Sequence, residues 1–283
     1  MPRLQIDHYT NPSAFYSTTG AFLMEREIEN NVSIGLVLNA IRGDIPTIHM
    51  WRVHDGERVL GAAVLTPGRK VNLVTPATEI ASALAERLYR DGIDAPGIRG
   101  EPAACTRFCE TWTRLSNQGA KIEMPQLLYQ LDRVIPVSGV RGEMRRGTVR
   151  ERALLIDWMD AFSVETFGPQ RAAMSEEYVD RALRAEDGRG IWVWEVDNHP
   201  VSTVSVNRLT PHGAVVSGVY TPPEHRRNGY AGALTAEVSA HMLASGRKWC
   251  TLYTDRSNPT SNKIYQQIGY YVVAEQEDWG FGD

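Results

Sequence analysis

The chain has 283 residues, 42 % of them hydrophobic and 23 % charged, with a formal net charge of −4. That is the composition of a globular protein long enough for one large domain or two ordinary ones. The charge balance argues against bulk electrostatic binding to nucleic acid or an anionic membrane, while leaving room for one local basic site. No run of about 18 apolar residues marks a membrane span, and the N-terminal MPRLQIDHYTNPSAF lacks the apolar core of a signal peptide.

In chain order, His49–His54 alternates Trp51 and Val53 and reads as a strand, Asp55-Gly56 as a turn, and Val59–Leu65 as the returning strand. A further strand, VNLVTP at residues 71–76, precedes a helix that ends at Gly92. Glu101-Pro102 opens another helix, on which Cys105 and Cys109 can share a face. No His or Cys follows at ligand spacing, so packing is expected there and no metal site. With Cys250 they make three cysteines and no C-x-x-C pair, which points to a reducing cytoplasmic setting. A break falls at residues 136–148, PVSGVRGEMRRGT, and divides the chain into 1–137 and 138–283.

Beyond the break, Arg150–Phe167 is expected to be an amphipathic helix with Leu154, Leu155, Trp158, Met159 and Phe162 on one side, and Glu176–Glu186 a second helix. Ile191–Val196 and Val201–Val206 read as a hairpin around Asp197-Asn198, and Ala214–Tyr220 as the next strand. Then comes TPPEHRRNGYAG. Its prolines exclude helix at the start, and a helix follows in which Leu234, Val238 and Met242 recur every fourth residue up to Gly246. Trp249–Thr254 is a buried-looking strand, Asn258-Pro259 opens a short helix closed by Gly269, and Tyr270–Ala274 is a last strand.

The loop Glu224–Gly232 therefore lies between a strand and a helix N-terminus, where backbone N–H groups lack partners and the helix dipole is positive. Gly229 lets a ligand approach the backbone, Ala231 and Gly232 keep the first turn free of bulk, and Arg226 and Arg227 supply charge. Taken alone, it fits a basic surface turn or an anion cradle. It is not a nucleotide P-loop and not a dinucleotide fingerprint, since neither ending is present. Downstream, Asn258, Ser261 or Asn262, and Tyr265 recur three or four apart and form a polar face ending in a phenol, with Ile264 and Ile268 on the buried face. Alone, that segment also fits a capped helix with a solvated face.

Together, strand-VYTPPEHRRNGYAGAL-helix and strand-NPTSNKIYQQIGY resemble the GNAT superfamily of acyl-CoA-dependent N-acyltransferases over about residues 143–279. The family's Arg/Gln-x-x-Gly-x-Gly/Ala pattern is matched by Arg226, Gly229 and Ala231, and its later Asn and Tyr by Asn258 and Tyr265. The resemblance implies a mixed α/β fold, acetyl-CoA as acyl donor and an amine as acceptor. It implies that Val219, Tyr220 and Thr221 hold the pantetheine arm and acyl carbonyl, and that Arg226, Arg227, Asn228, Gly229, Tyr230, Ala231 and Gly232 wrap the pyrophosphate. Asn258, with Ser261, would then hold the cofactor arm, the Tyr220 amide would face the carbonyl oxygen, and Tyr265 would be the acid beside the sulfur. Candidates for the amine's base are Glu195, Glu224, Glu165, His212 and Asp255. A non-catalytic acyl-CoA-binding regulator is the alternative.

The first half follows a similar order. The offset is 146 from Pro76 to Pro222 and 154 from Gly92 to Gly246, so the first half lacks about eight residues, those carrying PEHRRNGY. Glu101 stands where Asn258 does, an acid where a phosphate-bearing ligand needs a donor. A degenerate GNAT-like half without a cofactor site is expected. It would help shape the acceptor pocket, with the regions of Trp112 and Tyr129 either contributing to that pocket or serving as core.

Overall fold

The structure is a computed structural model and describes residues 4–168 and 175–282. It has two compact units, one of Met1–Leu128, Thr254–Asn258 and Val272–Asp283, the other of Tyr129–Tyr253 and Pro259–Tyr271. Residue 137 falls between the sixth and seventh strands. The compact units interleave in sequence, because the end of the chain belongs to the first.

In the first unit, β1 (Gln5–Tyr9), β2 (His49–His54), β3 (Val59–Leu65) and β4 (Val71–Val74) run antiparallel, and β4 pairs parallel with β5 (Gly97–Gly100). Strand periodicity sends alternate residues to opposite faces. Trp51, Ala63, Leu65 and Leu73 pack under α3 (Thr78–Arg90) and α4 (Pro102–Ser116). Met50, Ala62, Val64 and Val74 pack under α1 (Pro12–Glu25) and α2 (Asn31–Ile41). Cys105 and Cys109 lie buried in the α4 core with Trp112, as free thiols.

β6 (Gly119–Leu131) follows, and the final strand, β12 (Tyr271–Gly282), closes the first unit by pairing Glu277–Gly280 against Gly100–Gly97. That pairing requires Gly97, because a Cβ there would lie 1.9 Å from the Trp279 carbonyl oxygen. β12 is longer than its sequence suggests. Its buried Asp278 is held by Arg99 at 2.8 Å.

In the second unit, β7 (Glu143–Arg146), β8 (Gly190–Val196), β9 (His199–Leu209) and β10 (Gly213–Tyr220) run antiparallel. Asp197 and Asn198 both take positive φ, 51° and 64°, as the tight β8–β9 hairpin requires. β10 pairs parallel with β11 (Trp249–Asp255) across the α7 crossover (Tyr230–Ala244). α5 (Arg152–Phe167) and α6 (Ser175–Arg184) bury Leu155, Trp158, Met159 and Val179 against Ile191, Val193 and Tyr220. The short α8 (Pro259–Gln267) follows β11.

The order β1 α1 α2 β2 β3 β4 α3 β5 α4 β6 recurs as β7 α5 α6 β8 β9 β10 α7 β11 α8 β12. The chain is thus a mixed α/β protein built from two similar runs of elements.

Candidate functional site

β10 and β11 are paired only at Gly213↔Trp249, Ala214↔Cys250 and Val215↔Thr251. Beyond Val215 the two strands have no paired residues, so the Val216–Tyr220 end of β10 splays from its parallel neighbour. β10 also carries bulges against β9, one of them between Ser217 and Tyr220. A bulge re-aims the backbone locally and increases strand twist. Val219, Tyr220 and Thr221 thus stand at an opened strand end. Ser202 fixes that end from behind, its hydroxyl donating to the Tyr220 carbonyl at 3.0 Å.

The nine residues 221–229 then lead to α7. Pro223–His225 form one 3-10 turn, Arg226 is extended, and Arg227 and Gly229 are left-handed at φ 67° and 82°. A left-handed arginine is uncommon, and such backbone concentrates at ligand-binding sites. The Asn228 amide pins the turn by donating to the carbonyls of His225 at 3.1 Å and Arg226 at 3.2 Å. At Gly229 a Cβ would meet both a disfavoured φ and Val140 Cγ2 at 3.0 Å. α7 begins at Tyr230 with no side-chain cap and no acid in its first turn. Ala231 and Gly232 add almost no bulk there. Unpartnered N–H groups, a positive helix end and the Arg227 charge together offer what an anion requires.

α8 lies beside this first turn, since a Cβ on Gly232 would be 3.5 Å from Ile264 Cγ2. Of the expected buried face of α8, Ile268, just past the helix, is buried at 1 % exposure, but Ile264 is only half-buried. Tyr265, expected on the polar face, is buried at 8 % exposure. The reason is an aromatic nest, with Tyr129 and Tyr270 ring centres at 6.4 and 6.0 Å from the Tyr265 ring. Burial pushes the Tyr265 phenol well above its ordinary value. Gln266 donates to the Tyr129 hydroxyl at 3.2 Å, and Ser261, one turn before Tyr265, is half-buried. Asn258 directly precedes the helix, with its backbone N–H donating to the Asp255 carbonyl at 3.1 Å. Trp112 and Tyr129 are both core residues, at 5 % and 0 % exposure.

The carboxylates considered as bases differ in their engagements. Glu195 accepts from Arg145 at 2.6 Å on the β7–β8 pair, and Asp255 accepts from the Ser257 amide at 2.7 Å. Glu224 is exposed on the 3-10 turn, and His212 is exposed before β10. Glu165, near the end of α5, meets the opened strand. It accepts from the Tyr220 hydroxyl at 3.4 Å, and both its oxygens lie 2.8 Å from Arg226 Nη2. The Arg226 guanidinium also donates to the Thr221 carbonyl at 2.8 Å and lies 5.7 Å from the Tyr220 ring centre. Burial, then the Glu165 charge, raises the Tyr220 phenol. The bond to Glu165 raises Arg226. Sequence spacing could not reveal this cluster, because Glu165 and Arg226 are 61 positions apart.

Among the described residues no group of three or more His, Cys, Asp or Glu is placed to hold a metal, and no helix is long and apolar enough to cross a membrane.

Residues 154–270 match the model of the Acetyltransferase (GNAT) family. A Drosophila protein of solved structure is 14 % identical with a TM-score of 0.73, over 97 % of both chains. A GCN5-related N-acetyltransferase from Sphaerobacter thermophilus is 13 % identical with a TM-score of 0.61, over 98 % of this chain and 95 % of that one. A tandem GNAT protein from the clavulanic acid biosynthesis pathway is 12 % identical with a TM-score of 0.60, over 99 % and 98 %. These likenesses concern the fold. Among curated proteins none matches the sequence. With its opened β10 end and uncapped α7, the segment 154–270 belongs to the GNAT acetyltransferase family.

Proposed function

We propose that the chain is an N-acetyltransferase that moves an acetyl group from acetyl-CoA to a primary amine, by direct attack within a ternary complex. The observation that carries this reading is the continuous path from the splayed Val219–Thr221 strand end to the uncapped, arginine-bearing start of α7. An amide-bearing arm fits the first part, and a diphosphate the second. In this reading Val219, Tyr220 and Thr221 hold the pantetheine arm, residues 226–232 the diphosphate, and Asn258 and Ser261 the arm near the thioester. The donor site belongs to 138–283. Residues 1–137 are a degenerate copy without one. A cytoplasmic location accords with three free, buried thiols.

Each chemical task then falls to a group of this chain. The Tyr220 amide N–H faces the carbonyl oxygen as it gains charge. Holding both reactants at one strand end supplies proximity. Tyr265 stays protonated throughout neutral pH, because burial disfavours its phenolate. A thiol of pKa about 8.5 is the stronger acid, so Tyr265 acts by donating a hydrogen bond to the developing thiolate and completes proton transfer only as solvent re-enters.

Incubation with acetyl-CoA and a panel of amines, read by thiol release, tests the reading. Turnover on an amine supports it. Tight acetyl-CoA binding without turnover on any amine would favour a non-catalytic acyl-CoA-binding regulator. Replacing Tyr265 by Phe is expected to lower kcat about 100-fold, the low end of the range for loss of one acid catalyst, while acetyl-CoA affinity changes less than about threefold. Unchanged kcat would remove Tyr265 from the chemistry.

A further inference from the structure

Arg226 opens the loop pattern, yet its guanidinium does not point along α7. It is turned back onto the strand end, with Nη2 2.8 Å from both Glu165 oxygens and Nε donating to the Thr221 carbonyl at 2.8 Å. The carboxylate it holds also accepts from the Tyr220 hydroxyl at 3.4 Å. One cation therefore sits between the anion loop, three residues from Gly229, and a carboxylate beside the strand end. Both partners are open to solvent, at 42 % side-chain exposure for Arg226 and 48 % for Glu165. Exposed pairs of this kind are held weakly and rearrange without cost to the core.

We propose that Glu165 and the donor's diphosphate compete for Arg226, and that donor binding releases Glu165 to receive the acceptor's ammonium beside Tyr220. This rests on the reading of 226–232 as a diphosphate site. A diphosphate carries about two charges to the carboxylate's one, and the α7 N-terminus adds its dipole to the same side, so the cation favours the donor once the donor is present. Glu165 then stands as an unneutralised carboxylate next to the strand end that holds the acyl carbonyl. An alkylammonium with pKa about 10.4 is too weak an acid to give its proton to a carboxylate. Glu165 accordingly binds and orients the amine, and attack proceeds from the neutral fraction that equilibrium with solvent maintains. Donor and acceptor binding become coupled, each strengthening the other by the same factor, because either ligand separates Arg226 from Glu165.

The test is Glu165→Gln in the full chain, with Glu165→Ala as a second variant. The site is exposed, so both are expected to fold. Calorimetry with CoA should show affinity tightened about three- to fivefold in both variants, the range that release from an exposed ion pair allows. The KM for the best amine should rise at least about fivefold. S-acetyl-pantetheine, which has the arm but no diphosphate, should bind wild type and variants alike. CoA affinity that is unchanged or weaker in the variants overturns the coupling, as does an equal effect on S-acetyl-pantetheine. A wild-type chain that does not bind CoA at all overturns the parent reading and the coupling with it.

Discussion

The strand-to-helix link after β4 and the one after β10 occupy the same place in two similar runs of elements, and they differ in length and charge. The first is three residues, 75–77, and leads into α3, whose first turn carries Glu79. The second is nine residues, 221–229, and leads into α7, which has no acid in its first turn and two arginines just before it. The scaffold around them is shared. β4 and β5 stop pairing after Asn72↔Arg99, as β10 and β11 do after Val215↔Thr251. On the proposed reading, the splayed pair alone does not make a phosphate site, and the added loop and the sign of the charge at the helix start supply what it lacks. A second inversion reinforces the first, with Glu101 before α4 and Asn258 before α8.

Three perturbations would break or sharpen that contrast. The largest effect is expected from Gly229→Asp. Gly229 has φ 82°, a Cβ there would lie 3.0 Å from Val140 Cγ2, and the substitution adds a negative charge where a diphosphate is to sit. Transfer at subsaturating acetyl-CoA, followed by thiol release, should fall by more than about 100-fold. Retained activity would detach the loop from the donor.

The next effect is on stability and compares the two units directly. Burial pushes Cys109 in the first unit and Cys250 in the second up to about 12, and it raises Tyr265 and Tyr270 as well. In the unfolded chain these groups ionise near 9 to 10. Between pH 9 and 12 the native state therefore holds more protons than the unfolded state, and stability falls as pH rises, by up to about 1.4 kcal/mol per pH unit for each group. Thermal melts should be level from pH 7 to about 8.5 and drop above 9. A Tm level to pH 11 would contradict the burial of these groups. Separate alkaline transitions would show that the two units unfold independently.

The smallest effect is expected from Glu101→Asn. It gives the first half the second half's residue but not its loop, so CoA stoichiometry should stay at one per chain by calorimetry. A second equivalent would mean that residue 101 alone had been blocking the site.

Much of this contrast was legible in the sequence, because its signals are local. Alternation at Trp51 and Val53, the prolines and glycine of the loop, and the periodicity of α7 each act within a few residues. The offset between Pro76–Pro222 and Gly92–Gly246 located the added loop. What escaped depends on partners far along the chain. α8 has nine residues, too few for its spacing to decide which side is buried, and Tyr265 faces inward because Tyr129 comes to meet it. The polar run around Asp278 conceals a strand, since its neutralising Arg99 lies 179 positions away. The Glu165–Arg226 pair is hidden for the same reason.

Hydrogen exchange of the whole chain with and without acetyl-CoA tests the single-site claim most directly. Protection confined to residues 219–232 and 258–265, with residues 72–78 unchanged, is the result a lone donor site in the second half predicts. Protection at 72–78, or none at 219–232, would contradict it.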